Sequence, residues 1–137
     1  MYTKIMIPVD LGHADQTEKA LAVAADLAKT YNANASIVGV TLTGPTEVAP
    51  TPEAYAEKLS AFAAEQSEKL GVTFAAHTET SHDVTIDLDD KLAEAADKLQ
   101  ADLIVMASHV PGLAEYVFSS NAGYLASHAS MSVFVVR

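Results

Sequence analysis

The sequence predicts an α/β protein, an open, five-stranded parallel sheet with helices on both faces, formed by one domain over residues 1–137. Three observations predict it. Apolar runs of strand length at 5–9, 35–42 and 103–106 show little polar alternation, as strands covered on both faces do. The stretches between them carry apolar residues at helical spacing. Five strand-like segments then alternate with helix-like ones, a pattern that right-handed crossovers turn into a parallel sheet.

Taken in order, residues 2–10 form a β-rich run with Asp10 at its carboxyl end. A loop over 11–14 follows, and Asp15 with Glu18 three residues on reads as an N-cap and capping box. The first helix then turns Leu21, Ala24, Ala25 and Ala28 inward and ends near Asn32. Residues 35–42 are the second strand, and 43–50 a Pro-containing surface loop. Thr51 as N-cap and Pro52 at the first helical position start a second helix, which Gly71 stops. Along it, Tyr55, Leu59 and Phe62 read as core or interface. Residues 72–78 form the third strand. The segment 79–86 mixes turn formers with β-branched residues, so Asp87 is read as the N-cap of a third helix with Leu88, Leu92, Ala95, Ala96 and Leu99 on its apolar face.

The last third carries the candidate site. The apolar run ending at Met106 stops at Ala107, Ser108 and His109, as a buried parallel strand ends. A loop with Pro111 and Gly112 leads to Ser119, Ser120 and Asn121, good caps for a helix expected over 121–128, before a fifth strand at 133–136. A strand tip followed by a helix N-terminus is where an α/β fold holds phosphate, because unpaired N–H groups and the positive dipole end point the same way. Ser120 and Asn121 can cap the helix and donate to phosphate at once.

Charge and composition exclude several functions. A net charge of -10, with its one arginine at position 137, argues against general binding to nucleic acid or an anionic membrane. It also repels phosphate, which backbone N–H groups and a divalent cation must offset locally. The apolar runs fall short of the ~20 residues a membrane span needs, and residues 1–10 begin a strand without the pattern of a signal peptide. A cytoplasmic protein is expected. Cysteine is absent, so disulfides and thiol nucleophiles are excluded. His13, His77, His82 and His128 have no metal-ligand spacing. Asp83, Asp87, Asp89 and Asp90 lack the glycine and distal glutamate of a calcium loop, so no protein metal site is expected. Neither a nucleophile elbow nor a Gly-x-x-x-x-Gly-Lys-Ser/Thr loop occurs.

Several motifs in matching order, Lys4-Ile-Met-Ile-Pro-Val-Asp10, Ala101-Asp102-Leu-Ile-Val-Met106, Ala107-Ser-His-Val-Pro111, Ser119-Ser-Asn-Ala122 and Val133-Phe-Val-Val-Arg137, together resemble the universal stress protein family, and within it the F/G-type members. The resemblance covers the whole chain. It implies a flavodoxin-like or Rossmann-like sheet, and ATP bound at the carboxyl ends of the first and fourth strands. Carried over by position, the binding residues would be Pro8, Val9, Asp10, Val40, Met106, Ala107, Ser108, His109, Val110, Ser119, Ser120 and Asn121. Asp10 matches the position that meets the adenine or ribose end. Val40 matches the one whose backbone reads the base. Where ATP-binding members carry Gly-x-x-Gly and Gly-Ser/Thr, this chain has Ala107, Val110 and Ser119. The F/G-type variant already relaxes the first two glycines, leaving Ser119 as this chain's own change. If that position needs a positive φ, serine adds roughly 1 kcal/mol of strain.

The resemblance implies an ATP-binding stress-response or regulatory protein, with Mg²⁺ or Mn²⁺ bridging the phosphates. It also implies a homodimer paired through the C-terminal strand. No residue stands out as a general base with a matched acid, so any hydrolysis should be slow. The alternative is a nucleotide-free homodimeric interaction module whose phosphate loop has closed.

Overall fold

The computed structural model describes residues 1–107, 123, 125, 126 and 130–137, without the side chain of Thr85. Five strands, β1 (Lys4–Pro8), β2 (Asn34–Leu42), β3 (Phe74–Ser81), β4 (Leu103–Ala107) and β5 (Ser132–Val136), form one sheet in the order β3-β2-β1-β4-β5. All pairings are parallel. The expected open α/β sheet is therefore present. Residues 5–7 of β1 and all of β4 are buried, which is why both read as unbroken apolar runs.

Helices α1 (Glu18–Tyr31) and α2 (Pro52–Leu70) precede β2 and β3, and α3 (Val84–Leu99) precedes β4. Tyr55 of α2 lies on Gly39, whereas Lys98 of α3 bonds Glu79, and Glu79 is paired with Val40. Successive residues of a strand face opposite ways, so α2 and α3 cover opposite faces. Leu21, Ala24, Ala25 and Ala28 of α1 are buried as predicted. So are Leu88, Leu92, Ala95 and Ala96 of α3.

Local chemistry sets the ends of α2. The Thr51 hydroxyl accepts from the Ala54 N–H at 3.1 Å, Pro52 opens the first turn, and Gly71 takes φ 72° to close the helix. Ser67 donates to the Ala63 carbonyl at 2.6 Å and accepts from the Phe74 N–H at 2.8 Å, fastening the end of α2 to the start of β3.

Three sequence expectations need correction. Asp15 is not an N-cap. Residues Leu11–Thr17 form a 3₁₀ segment capped by Asp10, and α1 starts at Glu18 with no side-chain cap. β3 runs on to Ser81, and its inward-facing Glu79 and Ser81 are polar, which hid the strand from an apolar pattern. Finally, α3 begins at Val84, not after Asp87. Asp87 lies in its first turn and accepts from the Ser81 hydroxyl at 3.1 Å. Gly123, Leu125 and Ala126 are helical; the rest of the expected 121–128 helix lies outside the described residues.

Candidate functional site

β1 is the switch point of the sheet. One neighbour, β2, follows it in sequence, and the other, β4, is reached only after the chain has crossed back. Open α/β sheets bind ligands in the crevice at such a point. Here β1 pairs with β2 through five residues but with β4 through only two, Ile5 with Leu103 and Met6 with Ile104. Pro8 gives the reason. The Lys4 carbonyl accepts from Asp102, on the β4 side, and backbone groups along a strand alternate between neighbours. Position 8 would thus send its N–H toward β4, and proline has none. The ladder between the two central strands ends at Met6.

The other half of the opening comes from β2, which outruns β1. The last β1–β2 pair is Pro8 with Val38, and the Val9 N–H then donates to the Val38 carbonyl at 2.8 Å. By the same alternation the N–H and C=O of Val40 point to this side, past the end of β1 pairing. A backbone donor and acceptor thus face the space beside Asp10.

Asp10 organises the loop there. Its Oδ1 accepts from the Gly12 N–H at 3.0 Å, and its Oδ2 lies 3.2 Å from His13 Nδ1. Both side chains are partly exposed, 31% for Asp10 and 42% for His13. The β2–α2 connection folds over this loop. A Cβ at Gly12 would meet Val48 at 3.7 Å, and Val48 is held by the Lys58 ammonium, which donates to its carbonyl. Thr46 and Ala49 close that connection into a turn, with the Thr46 N–H donating to the Ala49 carbonyl at 2.8 Å.

Beneath lies Tyr55, 4% exposed. Burial, and then the Asp10 charge, push its phenol well above the ordinary tyrosine range. Its ring occupies the place of a missing side chain at Gly39, where a Cβ would sit 2.2 Å from the hydroxyl oxygen.

Of the predicted site residues, Pro8, Val9, Asp10 and Val40 lie together at the carboxyl ends of β1 and β2. Met106 and Ala107, both buried, lie at the end of β4. Ser108, His109, Val110, Ser119, Ser120 and Asn121 lie outside the described residues. Sequence reasoning missed Gly12, His13, Gly39 and Val48 as parts of the same opening, and read Tyr55 only as core or interface. Gly39 did carry a signal, since a glycine inside an apolar strand marks a close approach. Among the described residues, no three His, Asp or Glu side chains gather as a metal site, and no helix is long and apolar enough to cross a membrane.

The architecture is that of a parallel α/β protein whose sheet has its switch point at β1. The chain belongs to the universal stress protein family, whose model matches residues 1–137. Solved structures agree in fold. A universal stress protein in complex with cAMP is 17% identical, with a TM-score of 0.72, over 99% of this chain and 97% of that one. Another, from Archaeoglobus fulgidus, is 21% identical with a TM-score of 0.72, over the full length of both chains. A further Archaeoglobus fulgidus structure, in complex with dAMP, is 21% identical with a TM-score of 0.69, covering 99% and 98%.

Proposed function

We propose that this chain binds an adenine nucleotide across the carboxyl ends of β1, β2 and β4. It acts as a stress-response or regulatory protein whose conformation or association depends on the bound nucleotide. The observation that carries this reading is the backbone edge of Val40, left facing the space beside Asp10. A donor and an acceptor on one residue match the paired acceptor and donor on the adenine edge, and a carboxylate alongside suits ribose hydroxyls. The complexes of similar proteins with cAMP and dAMP support the same ligand class.

The finer proposal is ATP, with Mg²⁺ or Mn²⁺ bridging its phosphates. Ser108, His109, Val110, Ser119, Ser120 and Asn121 would surround the phosphate end, as the F/G-type resemblance implies. His13 is engaged with Asp10 at 3.2 Å, and any hydrolysis is expected to be slow.

Denaturing the purified protein and identifying what is released tests the reading, together with thermal unfolding in added nucleotide. Released ATP or AMP, or a midpoint raised by either, supports it. Release of no nucleotide, together with a midpoint that neither one raises, defeats it.

A second reading, a nucleotide-free homodimeric module, draws on β5. This strand ends the sheet, with Phe134 44% and Val135 38% exposed. Pairing with a twofold mate would cover that edge. The dimer is part of both readings, and sedimentation at several concentrations tests it.

A further inference from the structure

Tyr55 is only 4% exposed, yet its hydroxyl bonds no described group. Buried tyrosine hydroxyls as a rule find a partner. Packing alone does not call for this one. A phenylalanine ring would fill the same place, and the atom it would lack is the one 2.2 Å from where a Gly39 side chain would begin. The hydroxyl therefore needs a reason other than the core.

Its surroundings supply one. Among the described residues, Asp89 Oδ1 is the one side-chain atom both sealed from solvent and unpartnered, so the equally unpartnered Tyr55 oxygen is reached by solvent although the residue as a whole is buried. Tyr55 stands in the first turn of α2, which starts beyond the carboxyl end of β2. Its oxygen lies against Gly39, one residue before the Val40 edge, and near enough to Asp10 that the carboxylate charge adds to burial in raising the phenol. Raised in this way, the phenol stays protonated at neutral pH and remains a donor. Asp10 is its complement. It accepts from the Gly12 N–H and faces His13 Nδ1, and a carboxylate, with about four acceptor positions, still has room for another donor.

We propose that the unpartnered Tyr55 hydroxyl reads the sugar of the bound nucleotide, donating to a ribose hydroxyl that in turn donates to Asp10. The inference rests on the adenine-nucleotide reading above and adds to it a specificity-determining residue. A hydroxyl suits the pair because it both accepts and donates. A phosphate oxygen or a ring nitrogen would accept from Tyr55 but bring nothing to Asp10, and an amino group would do the reverse. Removing that hydroxyl from the ligand leaves a phenol and a carboxylate unpaired, which is how a site rejects an analogue that differs by one polar group.

Titration calorimetry on the parent protein and on Tyr55→Phe, with AMP, 2′-deoxy-AMP and 3′-deoxy-AMP, tests this. The parent protein should bind one of the two deoxy analogues about tenfold more weakly than AMP. Tyr55→Phe keeps the ring and loses no bond of the free protein, so the variant should fold. It should bind AMP about five- to tenfold more weakly and that analogue less than about twofold more weakly, so that the gap between them closes. A variant that binds all three ligands as the parent does overturns the inference, and so does one that weakens all three alike. A parent protein that holds AMP and both analogues equally well overturns it without any variant. If the parent binds none of the three, the nucleotide reading itself fails and this inference goes with it.

Discussion

The hydroxyl of Tyr55 stands where a side chain on Gly39 would have to go. A Cβ built there lies 2.2 Å from the Tyr55 oxygen and 2.9 Å from the nearest ring carbon, closer than van der Waals contact allows. The glycine and the tyrosine are thus one packing unit joining β2 to α2 directly under the Val40 edge. Gly39→Ala should cost about 1–3 kcal/mol as an overpacked core. Tyr55→Phe removes the nearest atom, so adding it to Gly39→Ala should recover part of that loss. Chemical denaturation of the two single variants and the double variant gives the coupling, and strictly additive losses would contradict the arrangement.

Glu79 makes stability depend on pH. Its side chain is 5% exposed, bonded by His77 and by Lys98 at 3.0 and 3.1 Å. Burial alone would raise its carboxyl, but the hydrogen bonds and charges of His77 and Lys98 outweigh it and hold the group below the ordinary range. A depressed folded pKa means that the unfolded chain takes up the proton first as pH falls. The contribution is therefore complete above the unfolded value of about 4.3 and disappears as pH drops through the folded one. Glu79→Gln should lower stability at neutral pH by about 1–2 kcal/mol and flatten the decline below pH 5. Unfolding midpoints from pH 3 to 7 that fall equally in both proteins would exclude this role.

Thr51 supplies the one side-chain cap seen on α2, to the Ala54 N–H. Thr51→Ala should cost about 1 kcal/mol and Thr51→Ser only a few tenths. Equal losses in thermal unfolding would show that the hydroxyl is not what matters.

Asp10 caps the loop after β1 and, in the proposed function, meets the ribose. Asp10→Asn keeps an acceptor for the Gly12 N–H, so stability should change little. Nucleotide affinity should fall about tenfold, the weight of one hydrogen bond to a charged group. Calorimetry on the variant showing wild-type affinity would remove Asp10 from the site.

Much of this was legible in the sequence wherever local chemistry and tertiary packing agree. Thr51, Pro52 and Gly71 bound α2 where expected, and the runs around Ile7 and Ile104 are the buried centre of the sheet. Legibility failed where a polar residue faces inward or caps a different element. Glu79 and Ser81 extend β3 through partners on α3 that no linear pattern contains. Asp15 matched a capping box, yet Asp10 took the cap because its oxygens reach both Gly12 and His13. Half of the opening was found by position, Asp10 and Val40. Tyr55 was out of reach as part of it, because its place depends on Gly39 from another element.

Asp102, at the opposite end of the sheet, accepts from the Thr3 N–H at 2.9 Å, the Thr3 hydroxyl at 3.0 Å and the Lys4 N–H at 3.0 Å. It binds the beginnings of the two middle strands together, while Pro8 leaves their far ends untied. The sheet is therefore built like a hand fan riveted at the handle. A molecule entering from the carboxyl side therefore meets strand ends that no N–H of position 8 joins, with the Asp102 rivet a strand length away.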